Sequence, residues 1–197
     1  MPKPIRKSRR LLKKITEYIA SGAVDLWSLD EVHFQQHGSR CRMWIPPECK
    51  HPVILQHPTR KSVGYFGAIR LSDGKFAYQR EQTVFNAETF WKFMKKLRQI
   101  SCHTGLQVLV LIDNARYHHA ILHADWRQKC TSKFSLLFLP PYSPDLNPIE
   151  RVWKLTRRLA IHNRYFERIE QVSQSVESVF STWMQPNTIL KKLCAII

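Results

Sequence analysis

Negative charge is scarce in this chain. Of 197 residues only 15 are Asp or Glu, against 31 Lys or Arg, leaving a formal net charge of +16. So large an excess points to a polyanionic partner, nucleic acid first, with a basic solubilising surface as the plainer alternative. Six Trp, ten Phe and a hydrophobic content of 44% exclude a disordered basic tail. Paired cysteine motifs are also missing. Cys41, Cys49, Cys102, Cys130 and Cys194 are odd in number and never spaced C-x-x-C, which excludes a zinc ribbon and a disulfide framework and suits a reducing compartment. No apolar run reaches the roughly 18 residues of a membrane span. The start, MPKPIRKSRRLLKK, is basic but lacks the apolar stretch of a signal peptide. Repeats, low-complexity segments and any sign of a second domain are absent, so one α/β domain is expected.

Periodicity divides the chain. Residues 1–23 read as a basic N-terminal arm or linker with a short helix to about Ala20; it either frays or contacts phosphates. VDLWSLDEVHF (24–34) alternates as a strand, with Leu26, Ser28 and Asp30 on one face and Trp27, Leu29 and Glu31 on the other. RMWIPP (42–47) predicts a short strand, and Trp44 and Trp153 are expected in the core. The stretches 61–71 and 75–81 flank Ser72-Asp73-Gly74 as a hairpin. Asn86 predicts the cap of a helix burying Phe90, Phe93, Met94, Leu97 and Ile100. LQVLVLID (106–113) is apolar throughout, as in a central strand buried on both faces. HHAILHADWRQK reads as helix, and FSLLFLP (134–140) as a second buried strand. Ile149, Val152, Trp153, Thr156 and Ala160 share a helix face, and a last amphipathic helix carries Ile169 to Trp183.

With so few carboxylates, their positions are informative. Asp30 lies within the first strand. Asp113 closes the most apolar one, where ligands of α/β sheets gather, although an Asx turn or cap is an equal structural role. Glu150 follows four prolines in SLLFLPPYSPDLNPIERVW (135–153). Proline fixes its own φ and keeps the preceding residue out of the helical region. Asn147 thus suits an N-cap, Pro148 N1, and Glu150 N3. Two plain roles for Glu150 are a capping box and an i,i+4 pair with Lys154. Neither accounts for the stiffness of the approach, which a metal ligand would. Three gathered carboxylates repel one another unless cations join them, and Mg²⁺ favours oxygen ligands. Neutralising Asp113 is therefore expected to relieve repulsion in the absence of metal. Lys154 and Arg157 continue the Glu150 side of the helix, as phosphate contacts or as solvated surface.

SLDE (28–31), LIDNARYHH (111–119) and LPPYSPDLNPIERVW (139–153) together resemble the DDE transposases of the mariner superfamily, in its bacterial insertion-sequence branch. The resemblance covers about residues 24–160, and the interval from Asp113 to Glu150 is similar to that of the family. It implies a ribonuclease-H-like fold, a mixed five-stranded sheet with flanking helices. It also implies a catalytic domain over 24–165, with 166–197 as a helical extension packed on it. The catalytic and metal-ligating roles would fall on Asp30, Asp113 and Glu150, with two Mg²⁺ ions for which Mn²⁺ substitutes. Glu31, Asn114 and His118 are candidates for a supporting role, Glu31 with a solvated position as the simpler reading. Tyr142 and Asn147 match the long motif and suit loop packing and capping. Lys154, Arg157, Arg151 and Arg158 are candidate DNA contacts. The implied activity is cleavage of double-stranded DNA at transposon ends and transfer of the freed 3′-OH into target DNA. A homodimer acting in the bacterial cytoplasm, at the nucleoid, is expected. Family members usually carry helix-turn-helix domains before the catalytic domain, and only about 23 residues precede the first strand here. A ribonuclease-H-like nuclease and a DNA-binding remnant without turnover are the competing readings.

Overall fold

The computed structural model describes residues 4–51, 53–101, 105–141 and 146–196. Tyr142, Pro144 and Cys102 lie outside them. In chain order the elements are α1 (Pro4–Ser21), β1 (Val24–Gln35), β2 (Ser62–Arg70), β3 (Phe76–Glu81), α2 (Ala87–Ser101) and β4 (Gln107–Ile112), then α3 (Ala124–Cys130), β5 (Phe134–Phe138), α4 (Ile149–Thr156), α5 (Ile169–Ser181) and α6 (Thr188–Leu193). The strands form one mixed sheet of order β3-β2-β1-β4-β5. β2 pairs antiparallel with β1 and β3, while β4 runs parallel to both β1 and β5.

Alternation along β1 sorts the core into two layers. Leu26, Val32 and Phe34 face α4 and α5, with Trp153, Val176 and Phe180. Trp27 and Leu29 face α2, with Phe90, Phe93, Met94 and Leu97. β4 supplies both layers, Leu109 and Leu111 to the first and Val108, Val110 and Ile112 to the second, which is why its sequence is apolar without a break. Asn86 caps α2 by accepting the N–H groups of Glu88 and Thr89, both at 2.9 Å.

Four expectations change. Residues 42–47 form no strand: Pro46 and Pro47 cannot donate to a ladder, no partner strand lies alongside among the described residues, and Trp44 is fully exposed instead of buried. The helix expected over HHAILHADWRQK is divided into two 3₁₀ turns (Arg116–His119 and Ile121–His123) and α3. β5 is an edge strand and only half-buried after Phe134. The basic N-terminal segment is a helix whose Ile15 is fully buried in the core. After α4 the helix widens into a π turn, Arg157–Ile161, that keeps both Ala160 and Ile161 buried.

Candidate active site

The parallel register of β1 and β4 pairs Ser28 with Leu111. Two residues further along β1 stands Asp30; the same step from Leu111 leads one residue past the end of β4 to Asp113. β1 continues past the end of β4, so Asp113 opens towards solvent while Asp30 is partly covered. Asp30 Oδ2 accepts a hydrogen bond from Trp153 Nε1 at 3.1 Å. Trp153 reaches that position because Gly67, directly opposite Asp30 in β2, leaves room; a Cβ there would overlap the indole ring. Burial first, and then the charges of Glu31 and Glu150, push Asp30 up to about 7.

Glu150 enters from α4. Pro148 has helical dihedrals (φ −58°, ψ −30°) but takes the cap position, so α4 starts at Ile149, one residue later than expected, and Glu150 N–H bonds to the Asn147 carbonyl at 3.1 Å. The cap differs. Asn147 turns its side chain back to β1, accepting from Ser28 Oγ at 2.5 Å and donating to the Leu29 carbonyl at 3.3 Å. Ser28 Oγ in turn accepts the Ile149 N–H at 3.3 Å. The strand residue two before Asp30 thus holds the first turn of the Glu150 helix. No capping box forms at α4, and no ion pair with Lys154 appears among the described residues. Both plain roles for Glu150 are missing, and its charge acts on Asp30 instead.

On the opposite face of β1, Glu31 is not solvated. Its Oε1 meets Nε2 of the fully buried His118 at 3.0 Å. His118 Nδ1 meets Asp113 Oδ1 at 2.9 Å, so one imidazole bridges the two carboxylates. Burial works against a charged His118, but the hydrogen bonds to Asp113 and Glu31 outweigh it and carry the ring up to about 9. The His118 bond is also the main reason Asp113 lies below the ordinary carboxylate range. Relief of repulsion on losing a charge therefore belongs to Asp30, and the expectation for Asp113 is corrected: it already has a cationic partner. Glu31, Asp113 and His118 offer ligand atoms within 4.8 Å of one another. Asn114 donates through Nδ2 to the Leu139 carbonyl, and His119 stacks on Phe138 with centroids 4.1 Å apart.

The basic candidates separate. Lys154 and Arg158 are exposed. Arg157 lies with its guanidinium 5.7 Å from the Phe34 ring centre. Arg151 donates to the carbonyls of Leu193 and Ala195 at 3.0 and 2.8 Å, tying α4 to the end of α6. Sequence reasoning missed Ser28, Gly67 and the hydrogen-bonding role of Trp153. A serine on the buried face that carries Asp30 was the available signal for the first. Nothing local signals the other two.

Comparison with known proteins bears on the fold and the family. The chain superposes on the Mos1 strand transfer complex with a TM-score of 0.66 at 19% identity, covering 96% of this chain and 55% of that one. It superposes on the catalytic domain of Mos1 mariner transposase with a TM-score of 0.65 at 15% identity, covering 98% and 88%. These likenesses establish a shared fold. An uncharacterized protein of Sinorhizobium fredii, y4pE/y4sA, is 32% identical over 72 residues, 36% of this chain and 50% of that protein. The chain thus spans about half the length of its curated relative and of the Mos1 chain in the strand transfer complex. A family profile described as DDE superfamily endonuclease matches residues 25–173. The chain belongs to the DDE superfamily endonuclease family.

Proposed function

We propose that the chain is the catalytic part of a DNA transposase, cleaving phosphodiester bonds at the ends of a mobile element and joining the freed 3′-OH to target DNA. What supports this reading is the coupling of Glu150 to Asp30, whose carboxyl it helps to raise, with Asp113 standing just past the end of the neighbouring strand at the level of Asp30. Asp30 and Glu150 have no cationic partner among the described residues, and all three groups are oxygen donors. That donor set fits Mg²⁺ or Mn²⁺, with Asp30, Asp113 and Glu150 as the holding residues. A bound pair of such ions supplies electrostatic stabilisation of the attacking and leaving oxygens at phosphorus.

The chain's own residues set the geometry. Trp153 fixes Oδ2 of Asp30. His118, itself held by Glu31, engages Oδ1 of Asp113. Ser28 and Asn147 hold the helix turn behind Glu150. Lys154 and Arg158, which are exposed, are the proposed contacts to the DNA backbone. Pairing two element ends needs two such centres, hence a homodimer. None of the described helices is long and apolar enough to cross a membrane, and action on DNA in the bacterial cytoplasm is part of the proposal.

Two substrates test it. Supercoiled plasmid should be nicked only with Mg²⁺ or Mn²⁺, and a pre-cut element end should be joined to target DNA. Asp30→Ala, Asp113→Ala and Glu150→Ala should each reduce both reactions to background. Nicking without joining would make the protein a nuclease. Activity surviving Asp30→Ala or a chelator would remove the site assignment.

A further inference from the structure

Outside the carboxylate cluster, a cleft of about 920 Å³ runs between α1 and the far end of β5. Its walls differ in chemistry. Lys13 and Lys14 line one side, Phe138, Leu139 and Pro140 the other, and Asn114 closes one end. Topology explains the location. α1 ends at Ser21, three residues before β1 begins, and it packs back along the sheet through Ile15. Its N-terminal half therefore rises towards the carboxyl ends of β4 and β5, where Asp113 stands. Asn114 follows Asp113 directly, and its bond to the Leu139 carbonyl ties the apolar wall to the strand end bearing that carboxylate.

Charge on the α1 wall favours an anion. Lys13 and Lys14 are exposed and form no ion pair among the described residues; Lys14 Nζ rests 5.5 Å from the Tyr18 ring centre. Glu17 is the one opposing carboxylate among the described residues of this wall. Earlier turns of the same helix carry Arg6, Lys7, Arg9 and Arg10 in sequence. A duplex offers phosphates outward and keeps its base faces stacked inside, so it would leave the apolar wall bare. A single strand offers phosphates and base faces together, the combination that basic grooves with apolar platforms accommodate.

We infer that this cleft binds a single, unpaired DNA strand beside the cutting site, with phosphates on Lys13 and Lys14 and bases against Phe138 and the adjoining prolines. The inference rests on reading the carboxylates as the place where DNA is cut. It names a route for the strand that separates from its partner there.

Fluorescence anisotropy in EDTA, with a labelled twelve-nucleotide oligothymidine and a blunt duplex of equal length, tests it. Lys13→Glu with Lys14→Glu should weaken oligothymidine binding about tenfold more than duplex binding. A control double reversal on exposed α6, Lys191→Glu with Lys192→Glu, should weaken both ligands equally. The cleft is ruled out if the α1 reversal behaves like the control, or if oligothymidine binding is unchanged. Thermal melting with Mg²⁺ separates the two readings. A wild-type protein that ignores Mg²⁺ defeats the active-site assignment. A normal Mg²⁺ response with equal loss of both ligands defeats only the cleft.

Discussion

Burial and the neighbouring carboxylates Glu31 and Glu150 hold Asp30 at about 7, whereas the His118 hydrogen bond holds Asp113 low. The two aspartates should therefore respond oppositely to loss of charge. Without metal, the folded chain keeps a proton on Asp30 that the unfolded chain has released. Stability contributed by this residue then falls as pH rises from near 3.8 through about 7. Asp30→Asn should raise the melting temperature in EDTA at pH 7.5 by several degrees, at roughly 2–4 °C per kcal/mol for a chain of this size. Asp113→Asn should lower it, because His118 loses an anionic partner. Both should remove most of the stabilisation by Mg²⁺. Calorimetry showing the reverse order would contradict the assignment of strain to Asp30. None of this contrast was visible in sequence. Both residues were legible as candidate ligands from their strand positions, but His118 and Glu31 are 87 residues apart and meet only through the β1–β4 pairing.

At the scale of elements, the site depends on one joint between β1 and α4. Ser28→Ala would leave the buried Ile149 N–H and Asn147 Oδ1 without their partner. A cost of about 1–3 kcal/mol is expected, read as a lowered melting temperature. Glu150 sits in the turn so loosened, so kcat should fall further than KM rises. An unchanged kcat in a folded Ser28→Ala protein would show that the joint does not aim Glu150. The elements themselves were largely legible. Period-two alternation in β1, the unbroken apolar run of β4 and the buried face of α4 are local properties that tertiary context only confirms. RMWIPP shows the limit: three apolar residues have strand character, but a strand exists only with a neighbour, and the sequence does not announce that none is there. Asn147 shows another, since its side chain had two polar targets and the nearer in space, Ser28, was the more distant in sequence.

At the scale of the molecule, the charge of +16 is unevenly employed. Arg151 is bound to the carbonyls ending α6, while Lys154 stands free of ion pairs among the described residues. Lys154→Ala should make the dependence of log K for duplex DNA on log salt shallower by about one unit, without changing the melting temperature. Arg151→Ala should do the converse, leaving the salt slope and lowering the melting temperature. Equal slopes for wild type and Lys154→Ala would remove Lys154 from the DNA surface.

The stretch between β1 and β2 has a separate consequence. Residues 40–51 are exposed throughout and stand between Asp30 and the other two carboxylates in the chain. β1 nevertheless lies at the middle of the sheet, paired on both sides. A polypeptide opened within that stretch would place Asp30 on one fragment and Asp113 with Glu150 on the other. The proposed cutting site would then exist only where the fragments meet, making its proposed cleavage of DNA a conditional readout of two polypeptides in association.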